Sequence, residues 1–531
     1  MKVNKMTTPD YHSHEEYQNR EKKLKELKEL GIDPFPHVYK PSDESEILHK
    51  KFENNEIGSS ESAAEGKTDK VKVAGRIVLF RSMGKNAFVQ LQDGSGRIQI
   101  MFNKELTHLE NYNASDKNDS FSDFKILEKK LDLGDIIGVE GHLFRTQKGE
   151  LTVFAKNVTI LCKTLLPLAE KHAGLHDKET RYRKRWLDLI SNTEVKQTFL
   201  NRSRILSILR QYCADLDFIE VETPVLQSIY GGAEARPFVT RLNALDQEMF
   251  MRISPEISLK KLIIGGLNRV FEIAKCFRNE GIDRTHNPEF TMIEAYAAYW
   301  DYTDMMAFVE NLYEKIAMEL FGSTKFMFSR GEGLEEVEID VKAPWIRLSM
   351  KDSLKKYANL DVDALSDHDM KKMLLESNHM SSEKLINLPR GLLIAALFEV
   401  FVEPSLIQPH HIIDHPVETT VLCKRHRDPA SFKDGLIERF ESFILGGEIC
   451  NAYSELNDPI FQRSLFEKQQ ERRDSGDEEA SPLDEEFLEA ICQGMPPAAG
   501  VGIGIDRLVM LFTKSHSIRD VLFFPWMKPL A

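Results

Sequence analysis

The chain has 531 residues, 42% of them hydrophobic, which is enough for several cores; ordinary domain sizes divide it into roughly two to four units. A formal net charge of −14 excludes a coat-like basic nucleic-acid binder, so any RNA contact has to use local patches on an acidic body. The cysteines at 162, 213, 276, 423, 450 and 492 form no CxxC pair, which argues against a cysteine zinc site and for a reducing compartment, read as cytoplasmic. No charged-then-apolar leader is visible, and the most apolar run, near 392–402, is short and broken by Glu399, so no membrane span is expected.

Residues 1–70 read as a polar N-terminal helical extension and linker. Leu24, Leu27 and Leu30 recur at helical intervals and predict a helix over 15–30, stopped by Gly31 and Pro34. Its basic stripe of Arg20, Lys22, Lys23, Lys25 and Lys28 suits a phosphate backbone, and equally an ordinary solvated face. Low-complexity sequence over 54–70 reads as a hinge. Over 71–165 the character changes to short alternating runs, VKVAGRIVLF, AFVQLQD, GRIQIMF, DIIGVEGHLF and ELTVFAKNVTIL, separated by glycine-bearing turns. Five such strands with a polar insert around 109–133 predict an OB-fold barrel, whose sheet commonly stacks unpaired bases, although such a barrel can also be purely structural. From 174 a charged linker helix follows, then an amphipathic helix over 201–216 that runs into Asp217-Phe218-Ile219-Glu220-Val221-Glu222-Thr223-Pro224.

Farther on, Gly231-Gly232 lets backbone approach a ligand closely, and Glu256 follows Pro255 where a helix-start carboxylate is also ordinary. The stretch 269–299 reads as strand, polar loop, strand. Its alternation delivers Arg278 to the loop mouth beside Glu280, and the loop holds Asp283, Arg284, His286 and Asn287. A solvated hairpin tip is the competing reading. On the returning strand Glu294 and Tyr296 share a face, an acid and a phenol that together suit a primary ammonium ion. Mixed-charge sequence over 342–406 predicts an inserted helical lobe. His411 and His415 have helical ligand spacing, but Pro409 and Pro416 favour extended chain over a metal site.

Over 436–456 Asn451, Tyr453 and Glu455 lie in one period-two phase and Glu448 in the other. For both glutamates to reach one site, a bulge or sharp twist is required near Gly446-Gly447. Hard carboxylate oxygens suit Mg²⁺, although on these residues alone a surface acidic strand is the favoured reading. The acidic segment 474–489 reads as a loop and helix over the site, or as a solvated face. Over 497–507 glycine stands at every second position, baring one strand face on which a flat ring could lie, with Arg507 at the start of the next helix above it.

Phe277-Arg278-Asn279-Glu280, the polar loop and His286-Asn287-Pro288-Glu289-Phe290 resemble the second signature motif of the class II aminoacyl-tRNA synthetases. Residues 217–224 resemble the first motif and 497–507 the third. AGRI at 74–77 and GKNAFVQLQDGSGRIQI at 84–100 resemble the anticodon-binding domain of the lysine, aspartate and asparagine subgroup, and the overall pattern is most similar to its lysine member. One departure is Asp217, where the family usually has glycine; aspartate tolerates a left-handed turn, so the same geometry is expected.

The resemblance implies an α+β fold: an N-terminal OB-fold β-barrel, then a catalytic domain over 166–531 built on a mainly antiparallel β-sheet flanked by helices, with a helical insertion at about 342–406, in a homodimer. It implies ATP binding by Arg278 (α-phosphate and substrate carboxylate), Glu280 (adenine amino group), His286 (distal phosphates), Asn287, Phe290 (stacked on adenine), Glu448 and Arg507, with Mg²⁺ on Glu448 and Glu455. Lysine would be held by Gly232 and Glu256 at its α-amino group, by Asn451 at its carboxylate, and by Glu294, Tyr296, Tyr453 and Glu455 along its side chain and ammonium end. In the barrel Phe88 would stack on the central anticodon base while Gln99 and Glu150 read its edge, with Arg76 nearby. The implied reaction joins L-lysine to ATP as lysyl-adenylate, releasing pyrophosphate, and then moves lysine to the 3' end of tRNA(Lys), with Arg278 and Arg507 compensating charge. An aspartate or asparagine relative would place its substrate poorly against Glu256, Glu294 and Glu455. A non-catalytic RNA-binding paralogue predicts loss of Arg278, Glu448, Glu455 or Arg507, and all four are present.

Overall fold

A computed structural model describes residues 10–112, 122–168, 175, 177–329, 335–378, 380–386, 388–477 and 479–529. The middle of the polar insert at 109–133, and Gly174 and His176 of the linker, lie outside them. The chain divides into two compact units, Met1–Gly174 and Leu175–Ala531.

In the first unit, alternation does what the sequence requires of it. Val71, Val73, Ile77, Val89, Leu91, Ile98, Ile100, Val139 and Val153 all turn inward and are buried in one core. Five strands, Lys70–Met83, Asn86–Gln92, Arg97–Asn103, Ile136–Arg145 and Leu151–Cys162, close into a barrel when the third pairs in parallel with the last, Gln99 opposite Thr152. The helix Glu15–Glu29 ends where Gly31 takes φ +78°, and its Leu27 joins the barrel core. Two cations of its basic stripe fasten it there. Arg20 is buried and donates to the Leu133 carbonyl at 3.0 Å and Thr164 Oγ1 at 2.9 Å, while Lys23 pairs with Asp132 at 2.5 Å.

The second unit is built on an eight-stranded sheet in the order Ile346–Ser349, His410–Pro416, Leu436–Ile444, Gly447–Ser454, Ala498–Gly504, Glu289–Ala298, Arg269–Phe277, Ile219–Glu220. Every neighbouring pair is antiparallel except the two at the edges. The helices Thr193–Asp215, Tyr302–Phe321 and Ile505–Phe512 share the main core with this sheet through Ile205, Leu209, Leu312, Tyr313, Leu508 and Val509. Asp217 takes φ +61°, the left-handed turn expected of the residue standing where glycine is usual.

The expected helical insertion contributes a strand first. Ile346–Ser349 pairs in parallel with His410–Pro416, and only then do the helices Met350–Ala358, Asp367–Glu376 and Arg390–Phe401 gather around Leu354, Met370 and Leu397. His410, His411 and His415 lie in the extended strand, as the flanking prolines indicated. His411 bonds Ser442 Oγ at 2.7 Å and Glu310 Oε1 at 3.2 Å, and His415 Nε2 meets the Ile412 carbonyl at 2.9 Å. Burial lowers the pKa of all three, so they sit as neutral hydrogen-bonding groups. No described helix is long and apolar enough to cross a membrane.

Candidate active site

A cavity of about 460 Å³ opens against the middle of the sheet. Its lining combines residues far apart in sequence: Gly232, Glu256, Arg278, Glu280, His286, Asn287, Phe290, Glu294, Tyr296, Glu441, Glu448, Asn451, Tyr453 and Arg507. The residue pattern explains the meeting. The strand Arg269–Phe277 ends one residue before Arg278, and the returning strand pairs Phe277 with Glu289 and Glu272 with Glu294. That strand then pairs with Ala498–Gly504, Glu294 opposite Gly502, which carries the chain into the helix that starts beside Arg507. Asp506 locks this corner by accepting from the Thr291 amide at 2.8 Å and pairing with Arg202 at 2.7 Å.

At one end of the cavity the charged groups interlock. Arg507 Nη1 donates to the Glu448 carbonyl at 2.9 Å and approaches its carboxylate at 3.4 Å, while Arg507 Nη2 is 3.1 Å from His286 Nε2. Since arginine can only donate, Nε2 accepts, and the proton belongs on Nδ1, 2.9 Å from Asp283. The Arg278 guanidinium lies 5.1 Å from the Phe290 ring centroid, so a planar cation and an aromatic face the same space. Glu280 is exposed at the rim, and Asn287 is buried with Oδ1 lacking a hydrogen-bond partner.

The bulge required to bring Glu448 into the site is present. Ser442 pairs with Cys450 and Phe443 with Glu448, which leaves Ile449 as the extra residue just beyond Gly446-Gly447. The residue that Glu448 then meets is Glu441, which stands opposite Asn451 on the neighbouring strand and was not anticipated. The cleft walls first, and Glu441 second, raise the pKa of Glu448, with Arg507, Arg439 and Arg278 opposing; its side chain still keeps 40% of its surface open. Two carboxylates facing each other across neighbouring strands fit a hard divalent cation.

Glu455 is elsewhere, which corrects its expected place beside Glu448 at a metal. The strand Gly447–Ser454 stops before it, and its carboxylate lies fully buried over Gly500 beside the Tyr296 ring, 2.5 Å from Lys260 Nζ. A Cβ on Gly500 would come within 2.3 Å of both Glu455 Oε1 and the Tyr296 ring. Gly500, Gly502 and Gly504 all line the cavity, and Gly500 makes room there for Glu455 and Tyr296, which leaves the face over Gly502 and Gly504 for a flat ring.

The other end of the cavity is a buried acidic cluster. Tyr453 donates to Glu256 Oε1 at 2.5 Å, Tyr296 to Glu294 Oε2 at 2.9 Å and Ser254 to Glu294 Oε1 at 2.6 Å. Burial, then the charge of Glu256, pushes Glu294 up to about 8. Burial likewise raises Glu455, against the pull of Lys260. Gly232, at φ +87°, leaves no space for a side chain, since a Cβ there would lie 2.8 Å from Ser254 Oγ and 2.9 Å from Glu256 Cβ. Arg439 bonds Asn451 Oδ1 at 3.0 Å and Glu441 at 2.5 Å, fixing the amide between the two ends. Sequence reasoning missed Lys260, Ser254, Arg439 and Glu441. The four-residue spacing of Glu256 and Lys260 and the shared phase of Arg439 and Glu441 were the available signals.

In the barrel, Phe88 is half-buried on the outer face beside Met101, Phe144 and Phe154. Gln99 Nε2 donates to Thr152 Oγ1 at 2.9 Å, and that hydroxyl reaches the Glu150 carbonyl at 3.2 Å, so Phe88 and Gln99 occupy adjoining strands and Glu150 immediately precedes the strand paired with that of Gln99. Arg76 departs from the expectation. It stands opposite Gln92 while Phe88 stands opposite Arg81, and its Nη1 donates to the Gly134 carbonyl at 2.8 Å.

The family described as tRNA synthetases class II (D, K and N) matches residues 177–528, and the OB-fold nucleic acid binding domain matches 71–161. The chain belongs to the class II aminoacyl-tRNA synthetases, in the group that serves aspartate, lysine and asparagine. Among its relatives are the lysine–tRNA ligase of Chlamydia caviae, 55% identical over 99% of each chain, and that of Staphylococcus epidermidis, 44% identical over 97% of this chain and 98% of the other. The lysine–tRNA ligase of Methanoculleus marisnigri is 44% identical over 95% of this chain and 94% of its own.

Proposed function

We propose that this chain activates L-lysine with ATP and transfers it to tRNA(Lys). The observation that carries this reading is one cavity with two arginines, Arg278 and Arg507, at one end and buried carboxylates backed by tyrosines at the other. The guanidinium fork matches phosphate oxygens, while acids fixed by Tyr453, Tyr296 and Ser254 match ammonium groups. Glu280, His286, Asn287 and Phe290 complete the nucleotide side. Gly232, Glu256, Glu294, Tyr296, Asn451 and Tyr453 take the amino acid, with Glu455 supporting from behind.

In the first step the lysine carboxylate attacks the α-phosphorus in line, the bond to the β-phosphate oxygen breaks, and pyrophosphate leaves with the displaced charge. In the second, the 3'-terminal ribose hydroxyl attacks the acyl carbon and AMP departs. No side chain has to act as nucleophile; placement and charge compensation by Arg278 and Arg507 supply the rate. Glu441 and Glu448 are the pair to hold Mg²⁺, which neutralises phosphate charge when bound.

The extension 1–70, the anticodon-binding barrel 71–165 and the catalytic domain 166–531, with its helical insertion within 342–406, act together in the cytoplasm. Phe88, Gln99 and Glu150 contact the anticodon. A homodimer fits the exposed apolar residues Ile219, Val225, Leu226, Val239 and Leu245 around the first motif. Amino-acid-dependent pyrophosphate exchange with lysine, aspartate and asparagine tests the reading. Exchange with lysine alone is expected, and exchange driven by either of the others overturns it.

A further inference from the structure

Three acidic side chains, Glu256, Glu294 and Glu455, crowd the amino-acid end of the cavity, each at most 5% exposed. Against them stands Lys260, wholly buried, with Nζ 2.5 Å from Glu256 Oε1 and 2.5 Å from Glu455 Oε2. It lies one turn beyond Glu256 on the helix Glu256–Ile264, and its ammonium also faces the Tyr453 ring at 5.4 Å. Glu256, Glu294 and Tyr453 line the cavity, whereas Lys260 reaches the cluster from behind. Glu256 Oε1 thus receives Lys260 from one direction and the Tyr453 hydroxyl from another, so its direction toward the cavity is set by two donors.

We propose that Lys260 is a positioning residue for the amino-acid substrate: it fixes Glu256 and cancels one of the three negative charges that Glu256, Glu294 and Glu455 carry once the substrate is bound, so that a molecule carrying two ammonium groups completes the balance. The inference rests on the lysine reading above and extends it to a residue outside the cavity wall. A buried carboxylate without a partner either takes up a proton or swings toward water, and in both cases it ceases to be an ammonium acceptor. With Lys260 in place, two uncompensated charges remain, which an amino acid with a single ammonium group leaves half answered. The opposite arrangement, in which Lys260 competes with the substrate for the same acids, predicts the opposite sign when it is removed.

The test is lysine-dependent pyrophosphate exchange by the full chain at saturating ATP, comparing Lys260→Met, Lys260→Gln and Lys260→Arg. The neutral variants should raise KM for lysine about 30-fold, the effect of stranding a buried charge, while KM for ATP stays within about twofold. Lys260→Arg, which keeps the charge, should return KM for lysine to within about fivefold of the unsubstituted protein. An unchanged or lowered KM for lysine in the neutral variants overturns the proposal, as does an Arg variant no better than Gln. If Lys260→Met does not fold, the Gln and Arg pair, which retain hydrogen-bonding groups, decides the matter. Absence of lysine-dependent exchange in the unsubstituted protein would sink the functional reading itself; intact exchange with a flat KM across the variants sinks only the role of Lys260.

Discussion

The two ends of the cavity are both charged, and they are built in opposite ways. At the nucleotide end Arg507 keeps 31% of its side chain open, Glu448 40% and His286 50%, and their mutual contacts are single hydrogen bonds that a ligand can replace. At the amino-acid end Glu256, Glu294, Glu455 and Lys260 are sealed and tied to one another, to tyrosines and to Ser254. The difference follows from what each ligand brings. A triphosphate carries its own charge and counter-cation and leaves as pyrophosphate, so hydrated, replaceable partners suffice. A small amino acid offers few groups, so discrimination depends on acceptors whose desolvation the fold has already met.

The sharpest way to break this comparison is at the nucleotide end. Arg278→Ala removes a fixed cation from the reacting phosphate, and exchange should fall about 10³-fold, by analogy with the loss of a preorganised charge donor. tRNA binding, measured by filter retention, should change by less than about twofold. Survival of exchange would remove Arg278 from the chemistry. Next in size, Glu441→Gln should lower exchange about 10²-fold and move the dependence on Mg²⁺ to higher concentration, since one of two hard oxygen donors is weakened. An unchanged Mg²⁺ dependence would return the choice of metal partner to other residues.

The amino-acid end is tested by pH. The Glu294 carboxyl, pushed up to about 8 by burial and by Glu256, holds a proton in the empty protein that the unfolded chain would have released near its ordinary value of 4.5. Its contribution to stability is therefore present below the unfolded pKa and is lost as pH rises toward 8. An arriving ammonium favours the ionised form, so lysine binding expels the proton, and KM for lysine should fall about tenfold between pH 6 and 8. Glu294→Gln should bind lysine weakly and with a shallower slope. A flat profile in the unsubstituted protein would show that the acid is already ionised when lysine arrives.

Much of this site was legible because its motifs are short and periodic. Alternation alone delivered Arg278 to the end of its strand and put Glu294 and Tyr296 on one face, where their side chains indeed bond. The phase conflict between Glu448 and Asn451 demanded a bulge, and Ile449 supplies it. Glu455 keeps the phase of Asn451 and Tyr453, and Glu455 and Tyr453 both meet Lys260, but the Glu455 carboxylate stands over Gly500 and not beside Glu448, a distance that phase alone does not set. Glu441 and Lys260 were missed for a related reason: spacing offers a shared phase for one and a helical turn for the other, but neither cross-strand register nor the packing of a helix against the site is written in it. In the barrel, Arg76 was expected near Phe88 from the resemblance, and register sets it opposite Gln92.

The barrel sharpens the contrast further, because it should leave activation untouched. Phe88 presents a half-buried ring beside Met101 and Phe154, and Thr152 Oγ1 joins the Gln99 side chain to the Glu150 carbonyl. Base stacking on an aromatic ring is worth about 1–3 kcal/mol, so Phe88→Ala should weaken tRNA binding about tenfold. Pyrophosphate exchange, which needs no tRNA, should stay within about 1.5-fold, given that Phe88 belongs to a different compact unit from Arg278 and Glu294. Restoration by Phe88→Trp and not by Phe88→Leu separates stacking from mere filling of the Met101 and Phe154 cluster, since leucine supplies bulk without a π-face. Equal rescue by leucine would reduce Phe88 to a packing residue and leave anticodon reading to Gln99 and Glu150.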